Sequence, residues 1–318
     1  MKVIEHIQNS KGPTFSFEIV PPPRGRSIND IIEISEALAK LNPSWIDVTS
    51  HKSSVEYVER TDGSIVKKKI KKRPGTLGIC GVIQNRFKID TVAHLLCAGF
   101  TREETEDALI ELNYLGIHNV LALRGDAVDA AKNPQALKLS NQSSHKYAAN
   151  LVEQIKLLGQ GQFLEDMSDS APLEFCIGVA GYPEKHFEAP CLKDDIDNLK
   201  QKVAMGADYI VTQMFFDNQK YFDFVSKCRE AGITVPIIPG LKILRSQAQL
   251  KSIPKNFYID IPEVLTDEIN ETPAHAEEIG KTWAFKQMTE LLDNGVPGLH
   301  VYVLNDVHNA VELVKKLR

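Results

Sequence analysis

Polar residues close a series of short apolar runs in this 318-residue chain, and several are of types that move protons or recognise rings. They are Glu18, Thr49, His94, the Arg124-Gly125-Asp126 step, Tyr182, Gln213, Lys242 and Asn305. Glu18 is the oddest, because it interrupts FSFEIV just before three prolines stiffen the exit. A carboxylate there is either a buried, paired structural group or a general acid/base with a raised pKa. Gln213 in YIVTQMFFD either bonds a neighbouring strand or recognises an amide-bearing ring. Taken alone, Arg124 and Asp126 read as a loop salt bridge, His94 as a satisfied histidine, and Tyr182 with His186 as part of a turn. Lys242 would offer an amine for Schiff-base formation if an apolar pocket lowered its pKa. No close acid/His metal spacing and no GxSxG occurs, so metal and serine hydrolases lose support.

These residues must be positioned by the runs they close. Apolar runs rich in Val, Ile or Phe cover 14–20, 45–49, 93–97, 119–123, 174–180, 209–215, 235–239 and 299–304. Between them lie amphipathic segments that predict helices over 28–41, 101–115, 147–158, 194–205, 221–231, 246–253 and 282–294. Asn42-Pro43 stops the first of these; Thr101 and Glu104 form a capping box for the second. Gly206 and Gly232 stand where later helices should end.

Strands that are apolar along their whole length and separated by helices point to a parallel sheet covered on both faces. Eight such units, with no GxGxxG and no GxxxxGK[ST], predict a (β/α)8 TIM barrel in the α/β class over an open dinucleotide-binding sheet. The expectation is one barrel domain over 1–318 with an insertion at about 53–92, between strands two and three. That insertion carries the basic run Lys67 to Arg73, and 159–172 reads as a polar loop.

In such a barrel chemistry sits at the C-terminal strand ends, where the polar residues above fall. A formal net charge of −5 gives no reason to expect nucleic acid or an anionic membrane surface as partner. Without a signal-peptide core or a membrane-length apolar stretch, a cytoplasmic protein is expected. The five cysteines are dispersed and read as reduced, mostly core thiols.

The strings FSFEIVPPP, WIDVTSH, AHLLC, LALRGD, YPEKH, DYIVTQMFFD, VPIIPGL and LHVYVLN, in this order, resemble the methylenetetrahydrofolate reductase family. The resemblance implies a flavoprotein that takes hydride from NADH or NADPH onto FAD and passes it to 5,10-methylenetetrahydrofolate in a ping-pong cycle. It implies that Glu18 is the acid that opens the folate ring at N10. By the same likeness Asp126 lies near flavin and pterin, and Gln213 contacts folate and nicotinamide in turn. Thr49, His94, Arg124, Gly125, Asp126, Tyr147, Ala148, Tyr182, His186, Asp195, Asn198 and Lys202 fall on positions that hold FAD or line its site.

A homo-oligomer is the family's usual form. Departures occur at Ser50, Lys52, Ile243, Gln247 and Asp306, and the 53–92 insertion is absent from shorter bacterial members. Rival readings are a proline dehydrogenase-like flavoenzyme, a Schiff-base aldolase using Lys242, and a folate or flavin binder without turnover.

Overall fold

The computed structural model describes residues 1–125, 144–304 and 306–318. Its main sheet is built from β1 (Thr14–Ile19), β2 (Trp45–Val48), β5 (Thr91–Leu96), β6 (Asn119–Leu123), β7 (Cys176–Gly181), β8 (Tyr209–Thr212), β9 (Ile237–Ile238), β10 (Gly240–Leu241) and β11 (Gly298–Leu304). The order is β10-β11-β1-β2-β5-β6-β7-β8-β9, parallel throughout. β9 pairs with β8 and β10 with β11, so these short pieces are one barrel strand interrupted at Pro239, which has no N–H to donate. Counted that way, eight strands form the (β/α)8 barrel, and the first strand lies between the second and the last.

Two apolar layers hold this arrangement. The outer strand faces, with residues such as Phe17, Ile46, Val120, Ile177 and Val301, pack under the surrounding helices. The lower interior is filled by Trp45, Val92, Leu121, Cys176, Tyr209, Val211 and Ile238. Helix α1 (Val3–Asn9) plugs it, with Val3 buried and its amide donating 2.8 Å to the Asn119 side chain at the start of β6. Each fully buried large apolar side chain contributes roughly 1.5–3 kcal/mol of transfer free energy. The barrel floor is therefore a packed core, and polar chemistry is confined to the other end.

The seven expected helices all occur, with shifted ends. The segment over Arg102–Tyr114 starts with the expected capping box: Thr101 Oγ1 accepts from the Glu104 amide at 3.1 Å, and the Thr101 amide donates to Glu104 at 2.9 Å. Gly206 and Gly232 adopt positive φ and end their helices at no Cβ cost. The run expected over 209–215 is strand only to Thr212. Beyond it Phe215 stacks on Tyr221, while Met214 and Phe216 join a separate cluster with Leu244, Leu265 and Ile269.

The expected 53–92 excursion is corrected to a smaller one. Only β3 (Ser54–Glu59) and β4 (Ile65–Ile70), an antiparallel pair bonded to each other, stand outside the barrel plan. Thr76–Phe87 is the helix of the second β/α unit, and Thr91 and Val92 already belong to β5. TLGICGVIQNRF carries two glycines and no clear polar face, so local propensity masks a helix that packing enforces. The hairpin base is tied to the segment leaving β1: the Arg24 amide donates 2.8 Å to the Lys72 carbonyl, and the Arg73 guanidinium donates to the Pro21 carbonyl. Helices over Val3–Asn9, Glu263–Glu271 and Val307–Leu317 were not expected from the pattern.

Candidate active site

Above the apolar floor the barrel interior turns polar. Period-two alternation sends Ser16 and Glu18 of β1, Asp47 of β2, His94 of β5, and His300 and Tyr302 of β11 inward together. Glu18 stands level with Asp47 on one side and Tyr302 on the other. The β1–β11 register slips just past Glu18: Ile19 pairs with Leu304, leaving Val303 as the extra residue of a bulge. Bulges re-aim side chains next to sites, and this one lies beside the carboxylate.

The result is a ring of two carboxylates and two imidazoles. His94 Nε2 lies 3.3 Å from Asp47 Oδ2 and 3.6 Å from Glu18 Oε2. His300 Nε2 lies 3.8 Å from Glu18 Oε2, and its Nδ1 is 3.7 Å from Asp47 Oδ1 and 2.9 Å from the Ser16 hydroxyl. Asp47 and His300 are fully buried, and Asp47 Oδ1 and His300 Nε2 have no hydrogen-bond partner. Lys242, just after β10, is also buried and donates to the Tyr302 carbonyl at 2.9 Å; Tyr302 in turn donates to the Thr212 carbonyl at 2.6 Å.

The charges decide the protonation states. Burial alone would raise the Glu18 pKa, but the facing His300, with the charges of His94, His300 and Lys242, lowers it. Of the two readings left open for Glu18, the buried and paired carboxylate is the one found and the raised pKa is not: the apolar neighbours along β1 matter less than the bases that face it from other strands. Burial would push His94 down, yet its bond to Asp47 and the charges of Glu18 and Asp47 raise it. Lys242 is pushed down to about 8 by burial and by Arg245, with Asp306 and Glu18 only partly opposing.

A second group gathers at the ends of β6 and β7. The Arg124 guanidinium pairs with Glu188 and lies 5.8 Å over the Tyr147 ring, beside Ala148 at the start of its helix. Tyr182 meets His186 edge-on at 4.8 Å, and the His186 amide donates 2.9 Å to Asp195. Lys202 donates to the Ala180 carbonyl at 3.1 Å; burial lowers its pKa, with Asp195 opposing. Burial also lowers the His186 pKa; Asp195 opposes, while Lys202, Arg124 and Lys185 add to the fall. Three cations around one imidazole suit an anionic group such as a diphosphate.

Of the other expected site residues, Gly125 follows Arg124, and Thr49 follows β2 with its hydroxyl buried and unpartnered. Gln213 follows β8, its side-chain oxygen accepting from the Met214 amide at 2.9 Å, and Asn198 is exposed on Leu192–Ala204. Asp126 and Asn305 lie outside the described residues. At the departure position, Asp306 is engaged by Arg245 at 3.2 Å and by Asn309 at 3.0 Å. Sequence reasoning passed over Asp47 and His300. The signal was present in WIDVT and LHVYVLN, where alternation puts Asp47 in line with Trp45 and Thr49, and His300 in line with Tyr302.

Among the described residues no group of His, Cys, Asp and Glu could hold a metal ion, and no helix is long and apolar enough to cross a membrane. The described cysteines are unpaired, all buried but Cys191.

Comparison with known proteins adds independent findings. The family model for methylenetetrahydrofolate reductase matches residues 2–318. A Caenorhabditis elegans protein named probable methylenetetrahydrofolate reductase (NADPH) is 29% identical over 323 residues, covering 99% of this chain and 43% of its own length. The chain thus spans about half the length of the first curated relatives it matches. The 5,10-methylenetetrahydrofolate reductase of Salmonella typhimurium is 30% identical over 293 residues, covering 91% of this chain and 86% of its own length. Among solved structures, an uncharacterised Clostridium thermocellum protein superposes with a TM-score of 0.60 at 16% identity, covering 99% of this chain and 98% of its own. That protein is described as binding two copies of 5-methyl-5,6,7,8-tetrahydrofolic acid. At this identity the likeness is one of fold.

Proposed function

The chain belongs to the methylenetetrahydrofolate reductase family, and from that premise we propose that it reduces 5,10-methylenetetrahydrofolate to 5-methyltetrahydrofolate, with FAD and NADH or NADPH, in a ping-pong cycle. The observation that carries the reading is the Glu18 carboxylate, buried at the polar end of the barrel and faced by the bases His94, His300 and Lys242. Bound FAD would supply two-electron transfer between nucleotide and folate, chemistry no side chain offers.

The residues present fit such a cofactor. Arg124, Lys185 and Lys202 supply positive charge for its diphosphate around the His186 imidazole, the Tyr147 and Tyr182 rings supply flat apolar surface, and the orphaned Thr49 hydroxyl offers a polar contact. Gly125, Ala148, Asp195, Asn198 and Asp126 complete the set by resemblance.

The chain's own part in the folate step is a proton. The methylene bridge accepts hydride only once its bond to N10 is broken, and N10 leaves readily only when protonated. Glu18 delivers that proton, and a positioned acid is worth roughly 10²–10⁴ in rate. By resemblance, Gln213 and Asp126 would orient the pterin. The apolar floor closes the site from below, and the Gly240 amide donates 2.9 Å to Thr212 Oγ1 beside it. The clostridial protein's bound methyltetrahydrofolate supports a folate ligand for this fold, and the Salmonella relative's name supports the reaction.

Anaerobic spectroscopy tests the proposal. The protein should purify yellow or bind FAD, bleach with NADH or NADPH, and regain colour on adding methylenetetrahydrofolate. A protein that bleaches and is not reoxidised by the folate refutes the assignment. A second reading, Schiff-base chemistry at Lys242, draws on its lowered pKa. Borohydride with carbonyl compounds should leave Lys242 unlabelled; labelling there would favour the second reading.

A further inference from the structure

The ring around Glu18 contains one carboxylate that the functional reading leaves without a task. Asp47 is fully buried on β2, in register with Glu18 on the neighbouring strand. A carboxylate with no access to water must be compensated, and its neighbours at ion-pair distance are the two imidazoles. The nearer one, His94 Nε2, stands between Asp47 Oδ2 at 3.3 Å and Glu18 Oε2 at 3.6 Å. A single N–H there faces two carboxylates and satisfies neither fully.

Resting on the reading of Glu18 as the group that protonates folate, we propose that Asp47 is a positioning residue that keeps the reaction's proton on His94, from which Glu18 relays it to the substrate. In that step the His94 N–H bond breaks as Glu18 Oε2 takes the proton. The new O–H bond then breaks as folate N10 takes it, and the electron pair of the methylene–N10 bond goes to N10. His94 is left neutral and Glu18 ionised, and solvent returns the proton to His94. Glu18 is then a relay and His94 the store. This division agrees with the opposite directions in which the two groups are shifted, the carboxyl down and the imidazole up.

The remaining groups that face the pair are compatible with it. From β11, His300 is bonded to Ser16 of β1 at 2.9 Å, and Tyr302 stays protonated because burial holds its pKa well above the ordinary value. After β10, Lys242 contributes positive charge below about pH 8. β6 brings only Leu121 and Leu123 to the interior beside His94.

Histidine-labelled protein followed by NMR tests this directly, with the His94 signal identified by its loss in His94→Gln. In the wild type His94 should titrate above the ordinary value of about 6.5. In Asp47→Asn its midpoint should fall by about one unit or more. The rate of the folate half-reaction should then show its alkaline limb displaced to lower pH by the same amount, about tenfold slower above both midpoints and unchanged below them. Reduction by NADH or NADPH should not change, and Asp47→Glu should restore the profile.

A wild-type midpoint at or below the ordinary value overturns the proposal, even if Asp47→Asn does not fold, and so does an unmoved midpoint in the variant. A protein with the expected His94 titrations but no folate turnover overturns the functional reading and upholds the Asp47–His94 store.

Discussion

Replacing Lys242 with methionine should stabilise the protein at pH 7 and lose that advantage at pH 10. Lys242 is 5% exposed and its pKa is pushed down to about 8, mainly by burial and then by Arg245. A free lysine titrates near 10.4, and each unit of difference is worth about 1.36 kcal/mol, so keeping the charge inside the fold costs about 3 kcal/mol at pH 7. The sign follows from proton counts. Between about pH 8 and 10.4 the unfolded chain holds this proton and the folded chain does not, so stability rises with pH through that window. Methionine has nothing to titrate and nearly the same length. Losing the bond to the Tyr302 carbonyl costs roughly 1–2 kcal/mol, which offsets part of the gain. The net effect at pH 7 is about 1–2 kcal/mol of stabilisation. The change in that effect between pH 7 and pH 10 is about 2–3 kcal/mol, and in it the packing contribution cancels. Urea unfolding of both proteins at both pH values, read from the fluorescence of Trp45 and Trp283, measures it. The same mutational difference at pH 7 and pH 10 would refute the reasoning, because Lys242 would then not be held at depressed pKa.

Further outcomes follow from the same geometry. Glu18→Gln should retain FAD and NAD(P)H oxidation by a quinone while the folate half-reaction slows by about 10² or more in stopped flow; equal losses in both would make Glu18 structural. Thr101→Ala removes the acceptor for the Glu104 amide and should cost about 1 kcal/mol in urea unfolding, with no change in KM for either substrate. Lys68, Lys71 and Lys72 are exposed on or beside the hairpin tied to the exit of β1. Changing all three to Gln should raise KM for a pentaglutamyl folate and not for the monoglutamate, with the difference fading at high salt. A like response of both substrates would leave the cluster a solvated surface.

The barrel was legible because its strands are apolar on both faces and its helices carry their own start and stop signals, as at Thr101, Gly206 and Gly232. Failures had local causes. Thr76–Phe87 hides behind two glycines, so it passed for part of an insertion. The run at 209–215 looks like one long strand, but past Thr212 Phe215 packs in the layer between strands and helices, and Met214 and Phe216 serve a separate cluster. Nothing in VPIIPGL announces that one strand is shared between β8 and β11 on either side of Pro239.

The polar ring marks a different limit, set by which strands are neighbours. Alternation within FSFEIV, WIDVT, AHLL and LHVYV tells which side chains point inward, and so picks out Glu18, Asp47, His94 and His300 as candidates. It does not say that these four meet. Ser16 and His300 are separated by 284 positions, and only barrel closure brings β11 against β1. Once they do meet, the protonation of Glu18 and of His94 depends on the groups around them, because charges at 3.3–3.8 Å in a buried site outweigh what a residue's own flanking sequence contributes. That is why the apolar neighbours of Glu18 along the chain left a raised pKa and a paired carboxylate both open, and the assembled ring lowers the pKa. An acid that is ionised at rest needs a proton supplied from behind it. The pairing of β2 with β1, and of β5 with β2, provides the place, at the imidazole between Asp47 and Glu18.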